Sequence, residues 1–159
     1  MQDISNYEKI REDTCVFYKN IGSIRCPALA HQLVHFTSEG FNHLIYKGNR
    51  SGRDKSVQIM KFKLLSRAKE IIMLTTTYQE YDESLTKVRK KHFKKIVYES
   101  AVVKYWGFVA IIRNFRVKVI VRAIGNGQNH FWSVIPAWST SHYRDIKLIS
   151  NAKGNLAED

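Results

Sequence analysis

Three runs in the second half of the chain constrain its fold more than anything else in it: VYESAVVKYWGFVAIIR, RVKVIVRAI and HFWSVI. They are crowded with β-branched and aromatic residues, whose side chains suit a pleated, half-buried surface better than a helix. Breaks at Asn114-Phe115 and at Gly125-Asn126-Gly127 separate them, and the second has the composition of a tight hairpin turn. Along RVKVIVRAI, Val117, Val119 and Val121 face one side while Lys118, Ile120 and Arg122 face the other, the period-two alternation of a strand. The spacing predicts an antiparallel meander of about four strands.

The first half has a helical period. In CPALAHQLVHF, residues 26 to 36, Leu29, Leu33 and Phe36 fall on one face and Pro27 suits a first turn. Thr37 or Ser38 can cap a second short helix, SEGFNHLIYK, with Phe41, Leu44 and Ile45 as its apolar positions. GNRSGRDKS is a loop by composition, and the helix VQIMKFKLLSRAKEIIML follows, with Ser66 as a point where it can break in two. CVFYKNI, residues 15 to 21, reads as a short strand, and TTTYQEYDES as β-prone and then turn-like. The expectation is an α+β domain over 15–149, with N-terminal helices packed on a C-terminal antiparallel sheet. A polar segment, 1–14, precedes it, and a flexible tail, 150–159, poor in apolar residues, follows it.

With 159 residues and 44% hydrophobic content, such a chain can bury a core without metal or disulfide staples. Cys15 and Cys26 are its two cysteines, and reduced thiols are the plainer reading. The polar start MQDISNYEKIREDT has no apolar signal region, and no run approaches the roughly eighteen apolar residues of a membrane span, so the expected location is the cytoplasm. The net charge of +12 is large for this size and points to a polyanionic partner, nucleic acid before an anionic membrane surface.

Several chemistries have residues of the right type in the wrong pattern. His31 and His35 are four apart on the expected helix, with Cys26 upstream, but neither an H-E-x-x-H nor a C-x-x-C motif accompanies them, and no metal is expected. Cys26 before a helix has the placement of a low-pKa thiol, although a small buried residue is the commoner case. Phosphate-loop and dinucleotide motifs are absent, so no cofactor is expected.

The basic residues are more informative. KVRKKHFKK holds Lys87, Arg89, Lys90, Lys91, Lys94 and Lys95 within nine residues. By itself such a run is a solvated face or an arm. With Arg50, Arg53 and Lys55 in a polar loop and Arg113, Arg116, Lys118 and Arg122 on the sheet, it implies an extended surface for phosphates. Cleavage of RNA without metal needs a base for the 2′-hydroxyl, an acid for the leaving oxygen and a cation for the charge on phosphorus. Histidine suits either proton role, and His43, Lys47, Arg50, Arg113, Arg122, His130 and Ser133 are of the required kinds. The GNGQ turn brings Arg122 and His130 onto adjacent strands; a satisfied strand-edge histidine and an exposed arginine remain the bland alternative.

The segments VHFTSEGFNHLI and KGNR, followed by the late strand HFWSVI, resemble a superfamily of metal-independent RNases, the one grouping barnase, EndoU-type nucleases, colicin-type tRNases and RelE-like toxins. The likeness spans roughly residues 26 to 138 and is nearest to phage and mobile-element domains. It implies His43 as a proton-transfer residue, Lys47 or Arg50 as phosphate contacts, and Arg122 as the transition-state cation. Ser133, with or without His130, is implied as the hydrogen-bonding partner on the last strand. The chain departs from barnase in having no well-placed glutamate as base: Glu39 lies near His43 but reads as the start of a helix. A toxin-like endoribonuclease would act on RNA and require an acidic inhibitor or antitoxin, a narrow substrate or export. The alternative is a non-catalytic nucleic-acid-binding module, gripping single strands with its basic sheet and with Tyr105 and Trp106. A structural protein that only neutralises phosphate is a third reading.

Overall fold

The computed structural model describes residues 4–47, 51–112, 115–139 and 156–157. Its elements are α1 (Tyr7–Ile21), β1 (Ser23–Cys26), a 3-10 turn (Pro27–Leu29), β2 (Gln32–His35), α2 (Ser38–Ile45), α3 (Lys55–Leu74), β3 (Glu80–His92), β4 (Lys95–Ile112), β5 (Phe115–Ile124) and β6 (Asn129–Ser139). The chain is α+β, and its sheet has six strands rather than about four, in the order β1-β2-β6-β5-β4-β3. Strands β3 to β6 form the antiparallel meander, whereas β2 runs parallel to β6, so the sheet is mixed.

The added strands and one added helix come from stretches whose periodicity misleads. Residues 26 to 36 are not a helix but β1, a turn and β2. Ala30 and His31 take φ of 55° and 59°, a left-handed pair that turns the chain back and lets β2 pair with β1. Cys26 and Val34 then enter the core. Residues 15 to 21 are not a strand but the second half of α1. Its buried positions, Tyr7 and Tyr18, are tyrosines, and each hydroxyl is satisfied: Tyr7 donates to Gln58 Oε1, and Tyr18 to the Thr37 carbonyl at 2.6 Å. α3 runs unbroken through Ser66. Among the described residues no helix is long and apolar enough to cross a membrane.

The main core joins Ile59, Phe62, Leu65, Ala68 and Ile72 of α3 to Val117, Val119 and Val121 of β5 and Phe131 of β6. At its centre Phe131 stacks on Phe36 at 5.0 Å and meets Tyr18 edge-on at 5.9 Å. Residues of the opposite parity, Val103, Tyr105 and Ile120, form a second cluster with Leu156, and Trp132 packs against it. From the C-terminal tail, Leu156 is buried there, and the Ala157 carbonyl accepts a bond from Trp132 Nε1 at 3.1 Å. Tyr105 is thus a core residue, not an exposed stacking surface. Lys118 is likewise buried, its ammonium paired with Glu80 at 3.0 Å.

Candidate functional site

The site begins with a glycine. A Cβ on Gly40 would lie 2.2 Å from the Phe131 carbonyl oxygen and 2.6 Å from the Tyr18 hydroxyl, so only glycine lets α2 seat this closely on β6. One turn further on, His43 is buried and its ring stacks on Trp132 at 4.0 Å, with 20° between the planes. After α2 the chain doubles back through an isolated antiparallel bridge between Tyr46 and Gly52, with the Arg53 amide bonded to the Ile45 carbonyl. That return brings the Arg53 guanidinium to His43: Nε donates to the His43 carbonyl at 3.0 Å and Nη2 meets His43 Nε2 at 3.2 Å.

A guanidinium can only donate, so His43 Nε2 accepts and the ring proton sits on Nδ1. Burial, then the charges of Arg53, Lys61 and Arg122, hold the His43 imidazole down at about 3. His43 is therefore neutral at physiological pH, with one nitrogen already engaged.

On the strands, the register pairs Arg122 with His130 across β5 and β6 and pairs His130 with His35 of β2. The Arg122 guanidinium lies over Trp132, 4.1 Å from the ring centroid. Arg122 Nε and His130 Nε2 are both buried without a hydrogen-bond partner among the described residues, as is Arg116 Nη1, whose residue is not among those lining the cleft beside Arg122. Glu39 Oε2 stands 3.9 Å from His130 Nε2, too far for a hydrogen bond. Burial, followed by Arg122, lowers the His130 imidazole, and Glu39 opposes the shift. Glu39, His43, Arg122 and Trp132 border a cleft of about 610 Å³ whose remaining walls include Lys47, Lys87 and Arg89.

His43 and Arg122 thus line the cleft with Lys47, Lys87 and Arg89, while His130 lies behind that lining, paired with Arg122 across the strands and edge-on to Trp132 at 6.1 Å. Ser133 does not join them. It is 0% exposed, and its Oγ accepts from Lys61 Nζ at 2.9 Å beside a register shift in β6. Ser133 is a buried partner of Lys61, not a group at the cleft surface. Arg53 is half-buried on His43 rather than spread toward solvent. Lys90 pairs with Glu99 at 3.1 Å on the β3–β4 hairpin, where Lys91, Lys94 and Lys95 are exposed. Arg50 and Arg113 lie outside the described residues.

Two further residues bear on the site: Lys61, which the sequence pattern does not single out, and Glu39, which it sets aside as the start of a helix. Lys61 is almost fully buried, and its place between Gln58 and Leu65 on the inner stripe of α3 is the signal that marks it. Glu39 does lie at a helix start, as its position suggests, but the first turn of α2 also faces the cleft. The other candidate centres are ordinary. His35 Nδ1 bonds Ser23 Oγ at 2.6 Å, and burial pushes the Cys26 thiol up, away from the thiolate. Among the described residues no three His, Cys, Asp or Glu side chains cluster as metal ligands.

Compared with protein-family models, with curated proteins and with solved structures, the chain matches none.

Proposed function

We propose that the protein is a metal-independent endoribonuclease of the barnase, EndoU, colicin and RelE type, cleaving RNA by 2′-hydroxyl transesterification in the cytoplasm under the control of an acidic inhibitor or antitoxin. In this reading the helices occupy one face of the sheet, and RNA enters the cleft at its edge. The observation that carries it is the pair of unpartnered buried nitrogens, Arg122 Nε and His130 Nε2, beside a cleft with basic walls. Leaving such groups unsatisfied costs roughly 1–3 kcal/mol each, and more for a charged one, unless a ligand completes them.

His130, neutral and with Nε2 unpartnered, takes the 2′-hydroxyl proton as O2′ attacks phosphorus. Glu39 stabilises the imidazolium that results. Arg122, held flat on Trp132, carries the charge that grows on the phosphorane oxygens. The bond from phosphorus to O5′ breaks, Lys47 delivers the proton to that oxygen, and a 2′,3′-cyclic phosphate remains. His43 keeps a supporting part: neutral and bound by Arg53, it fixes the Trp132 ring under Arg122. Ser133 and Lys61 act beneath the site by holding the shifted register of β6.

The test uses two substrates with the same 2′-hydroxyl, a dinucleotide and a uridine 3′-aryl phosphodiester whose leaving group needs no proton. His130→Ala is expected to slow both by about a hundred- to ten-thousandfold, the usual contribution of an acid–base group. Lys47→Ala should slow only the dinucleotide. Equal rates in wild type and His130→Ala would remove His130 from the chemistry.

One observation favours the non-catalytic module instead: His43, the histidine the resemblance assigns to proton transfer, has its Nε2 engaged and its imidazole near 3. RNA that binds in EDTA but stays intact, with affinity unaffected by His130→Ala, would support that module.

A further inference from the structure

The β3–β4 hairpin runs well past the rest of the sheet. Its pairing continues from Glu80 and Gly107 out to His92 and Lys95, whereas β4 pairs with β5 only as far as Val103. Beyond that point the hairpin is a two-stranded ribbon. Directly paired residues project from the same face, and the two faces differ. One turns inward: Val88 and Glu99 are half-buried, and Val103 is buried. The other is exposed throughout and pairs Leu85 with Val102, Lys87 with Ser100, Arg89 with Tyr98 and Lys91 with Ile96. Phe93 caps the tip at φ 54° and is 95% exposed, with Lys94 beside it.

The outer face is sorted by strand. β3 contributes a row of cations, Lys87, Arg89 and Lys91, about 6.8 Å apart at two residues per step. β4 contributes Ile96 and Tyr98 alongside, and Tyr98 is 65% exposed. An extended nucleic-acid strand has the matching layout, with a charged backbone on one side and flat bases on the other. The ribbon also flanks the cleft, whose lining includes Thr86, Lys87, Val88 and Arg89.

We propose that this ribbon is a docking track for single-stranded RNA, with Lys87, Arg89 and Lys91 following the phosphates and Tyr98 and Phe93 stacking on bases as the strand leads into the cleft. The proposal rests on the reading of the cleft as an RNA site. A duplex keeps its bases stacked on one another and cannot offer them to Tyr98 and Phe93, so the track selects unpaired RNA. Two bulky aromatics left in solvent between lysines are thereby accounted for by one ligand.

The test is fluorescence anisotropy of the full chain with a short labelled single strand of 2′-O-methyl RNA, which cannot be cleaved, and with the same strand in duplex form. Cleavage of a dinucleotide, too short to reach the ribbon, is measured in parallel. Tyr98→Ala with Phe93→Ala is expected to weaken single-strand binding roughly tenfold or more and to leave dinucleotide cleavage unchanged. Tyr98→Phe, which keeps the ring, should restore the Tyr98 part. Single-strand affinity unchanged in the double variant, or duplex bound as tightly as single strand, overturns the track. Absence of binding by the wild-type protein overturns both the track and the RNA reading. Binding abolished in the double variant, with no cleavage by any protein, supports the track and overturns the ribonuclease alone.

Discussion

His43 couples the candidate site to the stability of the fold. Its imidazole is held at about 3 in the folded chain against 6.5 for an unperturbed histidine. Below that ordinary value the unfolded chain gains a proton that the folded chain refuses. The contribution to stability is therefore whole above about pH 6.5 and is lost progressively as the pH falls toward about 3. His130 is lowered as well and acts in the same sense, so the share of His43 is a difference between proteins. His43→Gln is expected to lose less stability than wild type between about pH 7 and about pH 4 in denaturant titrations; parallel losses would contradict the burial of a neutral ring. Arg53→Met should raise the His43 titration, read by NMR of the ring protons, because it removes both a donor to Nε2 and a positive charge. At this scale the sequence is informative about residue type and weak about state. His43, Arg122 and His130 are visible as chemistry-bearing residues, but a guanidinium bound to one ring and a lysine under the last strand arise from chain returns that no local pattern records.

The elements that place these residues are legible where apolar residues recur at a regular period. Phe41, Leu44 and Ile45 are the buried face of α2, and Val117, Val119 and Val121 are the face of β5 in the main core, although Lys118 and Ile120 are buried on its other face as well. Pattern misleads where polar handles or backbone geometry carry the burial, as with the tyrosines of α1 and the left-handed pair Ala30 and His31. α2 also makes the sharpest demand on its docking, at Gly40. Gly40→Ala forces backbone apart and is expected to destabilise by about 1–3 kcal/mol, the range for overpacking. It should also disturb the stacking of His43 on Trp132, read as a shift in tryptophan fluorescence together with a lower melting temperature. A melt identical to wild type would mean that α2 is not seated as closely as Gly40 implies. Phe131→Ala, which empties the middle of the aromatic cluster, should cost about 3–5 kcal/mol.

For the whole molecule, charge is the plainest message of the sequence, and its distribution is not. Of the cations behind the excess of +12, Lys118 is paired with Glu80 and Arg53 is bound to His43, while Lys47, Lys87, Arg89, Lys91, Lys94 and Lys95 are exposed and placed to meet phosphate. Replacing Lys91, Lys94 and Lys95 with alanine should lower the salt dependence of RNA binding, reducing the slope of log K against log salt by roughly 0.7 for each phosphate that is no longer neutralised. An unchanged slope would take the hairpin out of the interface. The proposed chemistry turns on the cleft, where a base on β6 and a cation on β5 meet the scissile phosphate. Its most direct measurement is mass spectrometry of the products from an RNA oligonucleotide incubated with purified protein in EDTA, beside the same oligonucleotide carrying 2′-deoxy sugars. Expected are 2′,3′-cyclic phosphate and 5′-hydroxyl ends from the RNA, an intact deoxy strand, and cleavage by His130→Ala slowed by about a hundredfold or more. Cleavage of the deoxy strand, or RNA products ending in 5′-phosphate, would contradict attack by the 2′-hydroxyl and with it the roles given to His130 and Arg122.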